Sequence, residues 1–155
     1  MGSAFSPGRR LAVAGLLSVF LLGPCLAAAA ARATPISLEL NKLQPLAQGT
    51  GCRAYFVIAN PGSQAIPELD LDLVLFGTDG VIARRVAIEF GPLPAEKTVV
   101  RLFDLAGTPC DSIGQILLND VISCRTGVTA PDADQRASCL ARIALSSLAK
   151  VKLTR

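Results

Sequence analysis

Few residues in this sequence are equipped for chemistry, and four cysteines, Cys52, Cys110, Cys124 and Cys139, stand first among them. A metal site needs closely paired Cys, or Cys with His, because several ligands must reach one ion at bond distance. Here the spacings are 58, 14 and 15, no CxxC occurs, and the chain has no His. The chain has five cysteines, and with Cys25 lost with an N-terminal leader the remaining four are an even number, which in an exported chain points instead to two disulfides, for which three pairings exist. The spacing favours Cys124 with Cys139, closing a short loop through the turn-rich Thr126 to Asp134. It also favours Cys52 with Cys110, joining an early strand to the loop before a late one. Each bridge restricts the unfolded chain and contributes roughly 3 to 4 kcal/mol.

The carboxylates come next. Asp70 and Asp72 lie two residues apart on one strand face, and with Asp79 they offer oxygens suited to calcium. The short Asp-x-Asp lacks the Gly-bearing loop and further carboxylates of a calcium site, so a solvated strand face that discourages edge pairing is the expected role. Arg84 and Arg85 are adjacent on a strand and point to opposite faces; a salt bridge to Asp70, Asp72 or Glu89 is expected, with anchorage of an acidic partner as the alternative. Without His, neither a Ser-His-Asp nor a Cys-His nucleophile system can be built, and a His-ligated zinc or haem is excluded. GxSxG and phosphate-binding Gly loops are absent too. A carboxylate pair for glycoside hydrolysis is compatible with the composition, yet no local motif selects two of the 12 acidic residues. The expectation is no catalytic residue, no metal and no cofactor.

Two parts of the chain must position these groups. Arg9 and Arg10 precede the apolar block Leu11 to Leu22, Gly23 and Pro24 break it, and Ala27 to Ala33 supply small residues. This is the order of a secretory signal peptide, with the best cleavage point after Ala33, where Ala31-Arg32-Ala33 fits A-x-A. An uncleaved anchor is the competing reading, because Leu11 to Ala31 is uncharged and long enough to span roughly 30 Å of hydrocarbon. Arg9-Arg10 resembles a twin-arginine signal, although the residues around the pair depart from that pattern. Cys25 resembles a lipidation site, but Pro24 before it spoils the box. Residues 1–33 are thus assigned to the leader and 34–155 to a single domain. Of the 15 Lys and Arg, Arg9, Arg10 and Arg32 fall in the leader, leaving 12 basic against 12 acidic residues. A neutral domain without Trp and with few aromatic rings argues against nucleic-acid binding.

Within 34–155 the pattern is one of short strands. Ile36 to Leu40 alternates, and Pro45 to Gly51 ends it. Cys52 to Ala59 is aromatic and branched and stops at the turn cluster Asn60-Pro61-Gly62-Ser63. In Glu68 to Phe76, Leu69, Leu71, Leu73 and Leu75 face one way and Asp70 and Asp72 the other. Thr78-Asp79-Gly80 signals a hairpin into Val81 to Phe90. Pro92 to Ala95 turns the chain into Thr98 to Leu105, and Ile113 to Ser123 follows, with Asn119-Asp120 as a kink or part of its wet face. A short helix is expected from Pro131 through Ala144, with Leu140, Ile143 and Ala144 on one face, and a final strand near Lys150 to Thr154. Turns this frequent imply an all-β class, an antiparallel β-sandwich with a short C-terminal helix and disulfides.

The run from Asn60-Pro61-Gly62 through Leu69-x-Leu71-x-Leu73-x-Leu75-Phe76, Asp79-Gly80-Val81-Ile82, Leu93 to Lys97 and Val99-x-x-Leu102-Phe103 resembles FxLYD-type immunoglobulin-like domains of bacteria. It lacks the Tyr-Asp that follows the central Phe in that family. The whole chain, with CRAYFVIAN, LDLVLFGTDGVIARR, KTVVRLFD and CDSIGQILLNDV in order, is similar to small exported bacterial proteins described only as carrying a twin-arginine (Tat pathway) signal sequence. These resemblances imply an immunoglobulin-like sandwich in the periplasm or outside the cell, and carry no site residues. The functional expectation is a non-catalytic exported module that binds a protein or envelope component through a strand edge or loops, without stable membrane insertion once the leader is removed. Its neutrality predicts weak dependence of binding on salt. The alternative is a carboxylate-based hydrolase, which needs a cleft lined by two carboxylates about 5 to 9 Å apart.

Overall fold

Alternating apolar and polar residues give this chain its strands, and a side-chain period of two lets each strand bury one row while wetting the other. The structure, a computed structural model, describes residues 1–2, 34–48, 50–127, 130 and 132–155. The leader reading, with its Arg9-Arg10 pair, apolar block, Cys25 and cleavage point, falls on residues 3–33, outside the described residues. From Ile36 onward the order is β1 (Ile36–Pro45), β2 (Gly51–Asn60), β3 (Glu68–Gly77), β4 (Ile82–Glu89), β5 (Lys97–Ala106), a 3₁₀ turn (Cys110–Ser112), β6 (Ile113–Arg125), α1 (Ala133–Arg142), β7 (Ile143–Ser147) and β8 (Lys152–Thr154). They form two four-stranded sheets, ordered β5-β2-β1-β7 and β4-β3-β6-β8. The fold is the all-β sandwich with one short helix and two disulfides that the alternation implied.

Between the sheets lies one core. Leu69, Leu71, Leu73 and Leu75 of β3 all point into it and are buried, opposite Leu38 and Leu40 of β1 and Phe56 and Ile58 of β2. Phe56, Phe90 and Phe103 meet edge to face with ring centroids 5.0–6.0 Å apart, the arrangement that aligns ring edges with the negative faces of their neighbours. The hairpin between β3 and β4 uses Gly80 at φ 80°. The Gly77 amide donates to the Val81 carbonyl, and the Asp79 side chain accepts from the Val81 amide at 3.0 Å.

Three features differ from the local pattern. β1 continues to Pro45, because a bulge between Leu40 and Lys42 resets its register and lets Leu43 to Pro45 pair with Cys52 to Ala54. The helix ends at Arg142, and Ile143 and Ala144, expected to complete it, instead open β7. Pairing with β1 decides this, since it buries the β-branched Ile143 opposite Ile36 and satisfies five residues of backbone along β1. Finally, β1·β7 and β6·β8 are parallel pairs flanking otherwise antiparallel ladders. Among the described residues no helix is long and apolar enough to cross a membrane.

Candidate functional site

Both disulfides are formed. Cys52, at the start of β2, joins Cys110 in the 3₁₀ turn with Cα atoms 4.8 Å apart. Cys124 of β6 joins Cys139 of α1 at 6.5 Å. All four cysteines are therefore structural braces, and none presents a thiol for nucleophilic or metal chemistry. The helix that carries Cys139 starts at Asp132, whose side chain accepts from the Gln135 amide at 2.7 Å.

The carboxylates separate into individually occupied roles. Asp70 and Asp72 do share the outer face of β3, but Asp79 stays in the hairpin, where it accepts from Val81. Among the described residues no group of three or more His, Cys, Asp or Glu side chains is placed to hold a metal ion. Asp72, expected on a wet face, is only 2% exposed. Arg85 Nε lies 2.7 Å from one of its oxygens and Asn119 Nδ2 donates to the other at 2.5 Å. The Arg85 bond holds the Asp72 carboxyl below its ordinary range despite burial. Asn119 reaches it because β6 bulges opposite Asp72 and Leu73, so the Asn119-Asp120 irregularity is the device that roofs the carboxylate. Asp70 is the converse case. One of its oxygens is enclosed without a hydrogen-bond partner, and burial, then the nearby Glu89 and Glu68, push its carboxyl up. Glu68 accepts from Ser123 and Arg125, which draw it down.

Arg84 and Arg85 do point to opposite faces. While Arg85 covers Asp72, Arg84 sits on the inward-facing row of β4 and reaches across to the other sheet, donating to the Ala106 carbonyl of β5 at 2.8 Å. Arg101 of β5 makes the reciprocal crossing, with Nε and Nη2 donating to the carbonyls of Phe90 and Pro92 at 3.1 and 2.9 Å. These two arginines bridge the side of the sandwich where β4 and β5 are both edge strands. On the outer face of β5, Val100 is 55% and Leu102 48% exposed, beside Val57 and Tyr55 of β2. At one end of that row Arg53 and Asp104 form a two-bond ion pair, 2.6 and 2.8 Å.

Neither Arg101 nor Asn60 stands out in the sequence as a functional or structural hub. Asn60 is 1% exposed. Its amide donates to the carbonyls of Gln64 and Pro94 at 2.8 and 3.1 Å, and its oxygen accepts from the Gly62 amide. It thereby ties the turn after β2 to the β4–β5 connection. The available signals were the Asn-Pro-Gly turn cluster for Asn60 and, for Arg101, a charge on the inward row of an otherwise apolar alternation.

The surface cavities carry few carboxylates. Among the described residues, one of about 440 Å³ lies beside Lys42, Asp111 and Leu148; another of about 370 Å³ shares Asp111, one of about 310 Å³ includes Glu96, and one of about 240 Å³ is lined by Ser63, Gln64 and Arg142 with no acid. None of these four brings two carboxylates together.

No family model and no curated protein matches the chain. It is similar to a solved structure described as the structural characterization of IrmA from Escherichia coli, at 16% identity over 72% of this chain and 90% of that one, with a TM-score of 0.48.

Proposed function

We propose that this chain is an exported, disulfide-braced and non-catalytic β-sandwich that binds a protein or envelope component through the open edge of β5. The observation that supports the reading is the contrast between that strand and its surroundings. β5 is ten residues long, among the described residues no strand pairs with its outer margin, and Val100 and Leu102 hold apolar surface beside that margin in water. A long edge of this kind supplies a row of unpaired N–H and C=O groups, so a visiting strand gains affinity through main-chain hydrogen bonds without a special side chain. Two disulfides fit an oxidising compartment, the periplasm or the exterior, where such bonds persist. The leader order of Arg pair, apolar block and A-x-A site supplies the route there.

Two measurements test this. N-terminal sequencing of the protein recovered from the cell envelope should give a start at or near Thr34, and a start at Met1 or Gly2 overturns export. Capture of envelope components should survive a chelator and be lost in V100K/L102K, whose lysines keep the strand but guard its edge. Retention by the variant assigns binding to another surface, and loss on chelation returns Asp70 and Asp72 to consideration as a cation site.

A further inference from the structure

Resting on the edge reading above, the geometry points to a partner of definite chemistry: we infer that β5 receives an extended polypeptide segment whose side chains alternate apolar and acidic. A strand added along β5 would place its side chains in two rows. The outer row would lie beside Thr98, Val100, Leu102 and Asp104, where Val100 and Leu102 form the exposed centre and Asp104 is already neutralised by Arg53. That row wants apolar side chains. The inner row would enter the seam between β5 and β4, where Arg84 and Arg101 converge from the two sheets. The ion pairs among the described residues are Arg53–Asp104, Arg85–Asp72 and Arg125–Glu68, so both seam arginines meet backbone carbonyls and no carboxylate. Each guanidinium has five N–H donors, of which Arg84 commits one and Arg101 two. Lys97 adds charge at the near end, with Glu96 beside it, and Glu89 lies on the opposite, outer row of β4, across from Asp70. The domain is neutral as a whole, yet this seam holds a local excess of cations that an acidic inner row would complement.

Two antiparallel registers of a second copy fit the same edge poorly. In an antiparallel self-pairing, the register that sets Val100 against Leu102 of the other copy also sets Arg101 against its own counterpart. Centring the pair on Val100 instead brings Asp104 against Glu96. Like charges directly opposite destabilise a ladder.

The test uses two capped ten-residue peptides, one alternating Val and Glu and one with Lys in place of every Glu, titrated against protein expressed from the full chain. The Glu peptide should bind about tenfold more tightly than the Lys peptide, and R84Q/R101Q should bring the two within about twofold. Amide exchange over residues 97–106 should slow on binding. If the double variant is unfolded by circular dichroism, R84Q alone is read in its place, because Arg84 is exposed and its substitution leaves the core untouched. Equal affinities for the two peptides overturn the acidic assignment and leave the edge as a site. Binding by neither peptide at millimolar concentration, or protection confined to other segments, overturns the edge itself. Self-association that protects 97–106 gives the edge to a second copy and overturns the inference.

Discussion

Along one side of the sandwich the sheets finish in β7 and β8, strands of five and three residues; along the other they finish in β4 and β5, of eight and ten. The short side is heavily tied down. The Ser147 hydroxyl donates to the Val151 carbonyl at 2.6 Å, Arg155 reaches the Leu140 carbonyl at 2.6 Å, and Cys124–Cys139 fastens α1 to β6. The long side is held by Arg84 and Arg101 across the seam and by Asn60 at the β4–β5 connection, while Cys52–Cys110 ties β2 to the turn before β6. Short, capped edges offer little template for another chain, whereas long edges must be guarded by charge or used. An inward-pointing arginine guards such an edge against unspecific strands.

The largest effect is expected from removing Cys52–Cys110: with a separation of 58 residues, C52A/C110A should lose about 4 kcal/mol in urea unfolding. C124A/C139A, closing only 15, should lose about 3 kcal/mol and speed amide exchange in α1 and β7 before β5. A reversed order of the two losses would mean that packing under α1, and not chain entropy, dominates the short side. Next comes Asn60. N60A removes a buried amide that serves the part-buried carbonyls of Gln64 and Pro94 and should cost about 2 kcal/mol, whereas an unchanged midpoint would show water replacing the amide. R101A removes two bonds from a half-exposed side chain and should cost about 1 kcal/mol. Its signature is faster exchange confined to residues 84–90 and 97–106; a uniform increase would deny the seam a separate identity.

The smallest effect is one of pH and sharpens the face of β3. Asp72 titrates lower in the folded protein than in the unfolded chain, so its contribution is complete above the unfolded carboxylate range, near about 3.9, and is lost as pH falls through the folded value. Asp70 titrates higher when folded, so its contribution is present in acid and is lost as pH rises through the raised value. Thermal scans between pH 3 and 7 should therefore show D70N flattening the upper limb and D72N flattening the lower. The same response from both variants would contradict their opposite environments.

What the sequence made legible was whatever depends on neighbours along the chain. The row Leu69, Leu71, Leu73, Leu75 declares β3 and its buried face, Thr78-Asp79-Gly80 declares the hairpin, and the cysteine spacing favours the two bridges that form. What stayed hidden depends on neighbours in space. Ile143 and Ala144 continue a helical pattern until β1 is there to pair with them. Asp72 looks like a wet-face carboxylate until Arg85 and Asn119 close over it. Arg84 and Arg101 look unrelated, 17 positions apart in the chain, until the two sheets stack and bring each to the other's backbone.

The parallel pairing of β1 with β7 also sets a clock. The Ser147 hydroxyl meets the Leu40 carbonyl across 107 positions, and the last strand, β8, supplies residues almost at the end of the chain to β6. As the chain emerges from synthesis or from a translocation channel, β1 arrives first and waits for its second neighbour until nearly everything else has followed. Contacts this distant along the chain make folding slow. The sheet around β1 is therefore complete only once β7 has been made, and until then one margin of β1 lacks its partner.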